Sequence, residues 1–361
     1  MSVTTSRKAQ HIAAALDPAV VRRSGPGWPE IELFHEALPE LDAEEVELST
    51  DLLGWRLGAP LVVAGMTGGY DGATEINARL ARAAERHGLA IGVGSQRTVL
   101  DDPSTTASYA VVRECAPTAP VIGNIGASQL IAQGDRPAVT PDDLRSLVDM
   151  VHADALAIHL NFLEEAVQPE GDSRTRGCAA AIARAVDALD VPVIVKETGA
   201  GMSRSTAARL RDLGVAALDV GGAGGTSFAI IERLRAEQQG DLPQVALGHV
   251  LGEWGIPTAA AVAASAGLGL PVIATGGVRS GLDAAKALVL GADVVGVARP
   301  LLLAALEGDD AVDTWITQFC LALRTVLLLT GAGSPAALKD KPYVAHGAIR
   351  DWLQTLGAVP R

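Results

Sequence analysis

Aromatic side chains are scarce. Tryptophan, tyrosine and phenylalanine together supply 3% of the chain, too few for the stacking platform with which proteins grip unpaired bases. Positive charge is short as well. Against 42 acidic residues stand 29 basic ones, a formal net charge of −13, which argues against non-specific binding to nucleic acid. Only Cys115, Cys178 and Cys320 carry thiols; they fit neither a zinc spacing nor a disulfide framework and indicate a reducing, cytoplasmic setting. The opening MSVTTSRKAQHIAAALD has no continuous apolar core, so no signal peptide is read there. Charge is also missing from 255–278, a stretch long enough to cross a bilayer. Pro257, Pro271 and several glycines interrupt it, however, and alanine supplies most of its apolarity. It reads better as a helix at 258–266, a turn and a short buried strand at 271–275, with no membrane partner.

What the sequence does hold is apolar and small. Hydrophobic residues make up 48% of 361, and 39 residues are glycine. A large core is available, and backbones can approach one another and a ligand closely. Eight short apolar runs recur: LVVAG (61–65), AIGVG (90–94), VIGN (121–124), ALAIHL (155–160), VIVK (193–196), ALDV (217–220), VIAT (272–275) and VVGVA (294–298). Their apolarity is continuous rather than alternating, so they read as strands buried on both faces. Helical stretches lie between them, including Ala73–Arg86, Pro141–His152, Cys178–Leu189 and Leu282–Leu290. Alternating β and α elements in this number predict an α/β fold, a (β/α)8 TIM barrel. One domain over 1–361 is expected, with 1–58 as an N-terminal arm and partial cap and extra helices after residue 302.

Polar and glycine-rich segments follow the strand ends: MTGG (66–69), GSQR (94–97), GNIGASQ (123–129), HLN (159–161), KETGAG (196–201), GGAGGTS (221–227), GGVRSG (276–281) and ARP (298–300). In a barrel these loops converge on one face, where active sites sit. The last two read as a phosphate site. Gly276, Gly277 and Arg279 offer amides and a guanidinium, and Ala298 and Arg299 add amides at a helix start, where the dipole favours an anion. GGAGGT lacks the spacing of a dinucleotide-binding turn; here its glycines would let backbone lie against a flat ring or phosphate, with Thr226 as a donor.

Lys196 closes a strand and has three uses at a barrel mouth: a Schiff base, a phosphate partner, or a cation beside an electron-rich ring. The plainer reading pairs it with Glu197 or Asp219. His159 and Asn161, two apart on a strand, share a face. Glu164, Glu165, Gln168, Glu170 and Asp172 follow, a carboxylate cluster suited to Mg²⁺ bridging protein and ligand. Arg7, Lys8 and His11 fall on one face of a short helix, and Arg97 is placed to bind an anion.

These segments, with RKAQH (7–11), HLN and PEGD between 159 and 172, VIVKETGAGMS (193–203), WGIPTA (254–259) and TGGVRSGLDAAKALVLGAD (275–293), resemble the type II isopentenyl-diphosphate isomerases. The resemblance runs from Arg7 to about Thr330. It implies a flavin-dependent (β/α)8 barrel that interconverts isopentenyl and dimethylallyl diphosphate by a 1,3-proton shift. FMN, Mg²⁺ and NADPH as flavin reductant are implied, together with homo-oligomers, tetramers or octamers. By this resemblance the flavin contacts are Gly65, Met66, Thr67, Ser95, Asn124, Lys196 and Thr226, with its phosphate on Gly276, Gly277, Val278, Arg279, Ala298 and Arg299. Arg7, Lys8, Ser95, Gln96 and Arg97 would bind the diphosphate, with Glu164 and Phe228 nearer the hydrocarbon. His11, His159, Asn161, Glu164 and Lys196 would serve the chemistry, and Glu165 the metal. Two positions depart from the family pattern: HLNFLEE has Glu164 where a glutamine is usual, and GGTSF has Phe228 where a tryptophan is usual. Both leave room for a paralogue acting on a longer prenyl diphosphate. Other FMN barrels, such as hydroxy-acid oxidase relatives, and a non-catalytic flavin-binding homologue are the remaining alternatives.

Overall fold

Eight parallel strands close into a barrel: β1 (Leu61–Val63), β2 (Ala90–Gly92), β3 (Val121–Gly126), β4 (Ala155–Leu160), β5 (Val193–Glu197), β6 (Ala217–Asp219), β7 (Val272–Thr275) and β8 (Val294–Val297). The last pairs with the first, Gly296 opposite Val62. This computed structural model describes residues 3–172 and 174–358. Each of the eight apolar runs is a barrel strand, and the helices of the outer ring agree with the sequence reading to within two residues: Asp71–His87, Pro141–Met150, Cys178–Ala188 and Gly281–Val289. The uncharged stretch is the helix Thr258–Ser265, buried throughout, followed by β7.

The N-terminal arm reaches both ends of the barrel. Its first helix, α1 (Val3–Leu16), packs near the mouth against α2 (Phe228–Gln239), the helix after β6. Residues 20–22 then run beside the β6 loop: Val21 bridges Thr226, and Arg22 N–H donates to Gly225 O at 3.0 Å. Further on, Ile31–Leu33 pairs with Tyr343–Ala345 near the other terminus. A hairpin, Thr50–Leu52 with Trp55–Leu57, plugs the opposite end of the barrel, where Leu52 and Leu57 pack with Val62, Ile122, Ile194 and Ile273.

After β8 come α3 (Arg299–Glu307) and α4 (Asp309–Leu329). By length and composition α4 would cross a membrane. Its buried stripe, Val312, Ile316, Phe319, Leu323 and Leu327, instead lies against the barrel's own helices. At Gly281 the helices touch so closely that a Cβ would come within 2.2 Å of Leu323 N, which is why glycine starts that helix.

Candidate active site

The strand-end loops line one cavity of about 880 Å³, with α1, α3 and α4 forming its outer wall. The glycine loops are shaped by what lies behind them. Gly68, at φ 150°, faces the Tyr109 ring, which a Cβ would meet at 2.1 Å. Ser108 Oγ accepts from Gly69 N–H at 2.8 Å, and Asn77 Nδ2 donates to Ser108 O at 2.7 Å, so the MTGG turn is held from below. In the KETGAG loop the half-buried Glu197 carboxylate accepts from the amides of Gly199, Ala200 and Gly201 at 2.5–2.9 Å. Burial pushes that carboxyl up to about 7, against the pull of the three amides and Lys196.

Nearly all the sequence-predicted residues meet here. Gly65, Met66, Thr67, Ser95, Asn124, Lys196 and Thr226 line the cavity, as do Gly276, Gly277, Val278, Arg279, Ala298 and Arg299. So do Lys8, His11, Arg97, His159, Asn161, Glu164, Glu165 and Phe228. The side chain of Arg7 lies outside the described residues. Gln96 is the correction. It is fully buried; its Nε2 donates to Leu147 O at 2.8 Å and its Oε1 accepts from Asn124 N–H at 2.7 Å. Both ends of the amide are spent splinting β3 to the helix beyond it, so the side chain does not reach a ligand. Arg299 splits its roles: its guanidinium donates to Ala15 O and Leu16 O at 2.7 and 2.9 Å, clamping α1, while its amide stays at the start of α3.

His159 is fixed by a chain of hydrogen bonds. Asn124 Nδ2 donates to Val93 O at 3.0 Å, which leaves Oδ1 as the acceptor 2.8 Å from His159 Nδ1. The neutral ring therefore carries its proton on Nδ1. Burial, then the charges of Lys196 and Lys8, pushes its pKa down to about 3. Lys196 donates to Glu197 O at 3.2 Å, and among the described residues no carboxylate lies within ion-pair distance of it. Desolvation raises the carboxyl of Asp219. The simple ion pair read from the sequence is thus absent, and the ammonium lines the cavity.

From α1, Lys8 Nζ donates to Ser95 O at 2.5 Å and to the Tyr109 hydroxyl. His11 Nε2 lies 2.6 Å from Glu232 Oε1 and edge-on to the Phe228 ring, centroids 6.1 Å apart. Glu232, fully buried on α2 and paired with Arg235, is a residue that sequence reasoning missed. Glu and Arg three apart on a helix look like a surface pair. Glu164 brings a carboxylate oxygen within 4.8 Å of a ring nitrogen of His11 and a carboxylate oxygen of Glu232. Tyr109 was likewise missed, because nothing in ASYAVV marks it.

The carboxylate cluster suits a hard cation. Glu165 accepts from Asn161 Nδ2 at 3.0 Å and from Asp172 N–H at 2.7 Å. Asn161 Oδ1 is buried with no hydrogen-bond partner among the described residues, an orphaned oxygen that a cation beside Glu165 would satisfy. The cavity fits a flavin nucleotide by the same kind of test. Thr67 Oγ1 is buried without a partner among the described residues, and the far end offers the Gly276–Gly277 amides, the Arg279 guanidinium and the start of α3 to a phosphate.

Residues 163–345 match the family model described as FMN-dependent dehydrogenase. Along nearly its whole length the chain is also similar to curated isopentenyl-diphosphate delta-isomerases. With that of Methanosarcina barkeri it shares 44% identity over 358 residues, 99% of this chain and 96% of the relative. With that of Halobacterium salinarum it shares 46%, over 97% and 96%. The chain belongs to the isopentenyl-diphosphate delta-isomerase family, in its FMN-dependent form. Among solved structures it superposes on a lactate oxidase of Pediococcus acidilactici with a TM-score of 0.68 at 18% identity, covering 95% and 94% of the two chains. A flavocytochrome b2 variant gives 0.60 at 20%, covering 92% and 81%. At such identity these two share the barrel and no more, so the oxidase alternative has only the fold in its favour. The isomerase family shares the sequence end to end.

Proposed function

We propose that this cavity interconverts isopentenyl and dimethylallyl diphosphate, the reaction that goes with the family, and that its residues divide the work as follows. One proton is added to the terminal alkene carbon and one leaves the carbon next to the diphosphate-bearing one, so the isomerisation involves no net redox change. Reduced FMN, when bound, supplies an electron-rich ring that takes part in the proton transfers. Gly276, Gly277, Val278 and Arg279, with the amides of Ala298 and Arg299, hold the flavin phosphate. Gly65, Met66, Thr67, Ser95, Asn124 and Thr226 would bound the ring, and Lys196 would supply it a positive charge. His159, neutral and held by Asn124, presents Nε2 as an acceptor. Lys8 and Arg97 attract the diphosphate, and Glu165 with Asn161 would hold Mg²⁺, which would supply charge neutralisation. Glu164, His11 and Phe228 face the hydrocarbon. NADPH is the reductant that primes the flavin. Three cysteines, none in a disulfide among the described residues, support a cytoplasmic location, and homo-oligomers are expected.

The observation that carries this reading is the meeting of two anion sites in one cavity, the phosphate loops after β7 and β8 on one side and Lys8 with Arg97 beside Glu165 on the other. An FMN hydroxy-acid oxidase would need the first and a clamp for a single substrate carboxylate, but not the cation-binding carboxylate Glu165 beside two basic side chains. The test is anaerobic incubation of the FMN-loaded protein with Mg²⁺, NADPH and isopentenyl diphosphate in D₂O, followed by NMR. Dimethylallyl diphosphate carrying deuterium is expected. A bound, reduced flavin with no conversion of the five-carbon substrate, but turnover of a longer prenyl diphosphate, would overturn the substrate assignment and return weight to Glu164 and Phe228 as specificity changes.

A further inference from the structure

Arg97 lines the cavity, yet its Nη1 lies 3.4 Å from Asp172 Oδ2. The Asp172 side chain is 3% exposed, so water screens this attraction little. Left alone, such a carboxylate would cancel the charge that makes Arg97 useful to a polyanion. A second guanidinium changes the balance. Arg136 Nη2 is hydrogen-bonded to the other oxygen, Asp172 Oδ1. Arg136 is not part of the cavity wall, and its side chain is 52% exposed. Its backbone is nonetheless fixed, because Gln133 and Arg136 exchange both main-chain hydrogen bonds at 3.0 Å. Gln133 Nε2 in turn donates to Ser128 O at 3.0 Å and to Arg174 O at 2.9 Å. The turn thus delivers a cation to a buried anion one residue behind the cavity.

Asp172 also reaches the metal side of the site. Its N–H donates to Glu165 Oε2 at 2.7 Å. Gly171 passes so close that a Cβ would stand 1.9 Å from Glu165 O. Main chain and side chain of one residue therefore address the proposed cation ligand and the anion-binding arginine separately.

We propose that Arg136 is a positioning residue for the diphosphate subsite: by neutralising Asp172 it leaves Arg97 anchored but with its positive charge available to the substrate. This rests on the reading of the cavity as a prenyl-diphosphate site. Two guanidiniums on one carboxylate leave one net positive charge. Removing Arg136 leaves none, and removing the Asp172 charge as well restores one. A surface arginine with only a structural role would not show that pattern.

The experiment is calorimetric titration of isopentenyl diphosphate into the oxidised FMN holoenzyme with Mg²⁺, where no turnover occurs, with steady-state kinetics alongside. Arg136→Met is expected to weaken binding about tenfold and raise KM with kcat little changed. Arg136→Lys keeps the charge and is expected to bind within about threefold of the wild type. In Arg136→Met/Asp172→Asn, affinity is expected to return to within about threefold of wild type, well short of the sum of the single effects. Binding by Arg136→Met equal to wild type overturns the proposal. So does a double variant as weak as Arg136→Met, because the arginine would then act otherwise than through the Asp172 charge. Wild-type holoenzyme that binds no diphosphate overturns the functional reading itself, an outcome distinct from the other two. Flavin absorbance and Tm of each variant report that the barrel is intact.

Discussion

At the scale of single residues, the site works by placing charges where water cannot screen them and choosing which to keep neutral. His159 is the plainest case. Half-buried at the cavity, it has its pKa pushed down to about 3 by desolvation and the charges of Lys196 and Lys8, whereas in the unfolded chain an imidazole takes up its proton near pH 6.5. Between those values the unfolded state binds the extra proton, so the contribution of His159 to stability is present above pH 6.5 and is lost as pH falls through that window. We expect the unfolding free energy of the apoprotein to drop between pH 7 and pH 4.5 by more in the wild type than in His159→Asn, measured by urea denaturation. An equal drop in both would show that the ring is not held neutral. The sequence made His159 visible because it sits at the end of an apolar strand; Asn161, read as sharing its strand face, instead lies one residue past β4 as the N-cap of the helix Phe162–Val167. The sequence could not show the Asn124 acceptor, 35 positions away, that sets the tautomer. Gln96 shows the converse. Its place in GSQR looks like a ligand contact, but Leu147 and Asn124 take both ends of the amide.

At the scale of elements, barrel strands and arm hairpin have separate duties. The strands carry the site at their C-terminal ends. The hairpin Thr50–Leu52/Trp55–Leu57 fills the opposite end, far from the chemistry, with Leu52 and Leu57 almost wholly buried. Leu57→Ala should therefore cost about 2–5 kcal/mol of stability, a fall in Tm of roughly 3–7 °C for a chain of this size, and leave kcat within about twofold. Thermal unfolding and turnover of the same FMN-loaded preparation check this; a large loss of kcat with Tm unchanged would mean the plug is coupled to the mouth. The periodicity of β1 to β8 was legible because both faces of each strand are buried, which writes a continuous apolar run. The hairpin was not legible, since three-residue strands with an exposed face carry almost no pattern. The same holds for Tyr343–Ala345, which exists only because Ile31–Leu33 is there to pair with it.

For the whole molecule, a net charge of −13 must still admit a diphosphate. The fold manages this by gathering Lys8, Arg97 and Lys196 around one mouth while most acidic residues stay outside it. Five carboxylates do line it, Glu164, Glu165, Glu197, Glu307 and Asp310, and the proposed Mg²⁺ site at Glu165 would offset one of them. Removing divalent ions with EDTA should abolish turnover and leave the visible flavin spectrum unchanged, with activity restored by Mg²⁺. Loss of flavin on chelation would show that the metal and cofactor sites are not separate. Here α4 is instructive too: its composition would suit a membrane, and packing against its neighbours gives its apolar stripe another use.

By itself the sequence determined the barrel, the face on which its site lies and most of the residues that line it. Those properties follow from local regularities: continuous apolar runs, glycines after each run, and polar side chains at the strand ends. Only the tertiary structure decided which polar groups face the ligand and which hold others in place. Glu232 under His11, Tyr109 under Lys8, and Asp172 with Arg136 behind Arg97 take their roles from partners distant in the chain. Burial and pairing are set by such partners, and no local pattern encodes them.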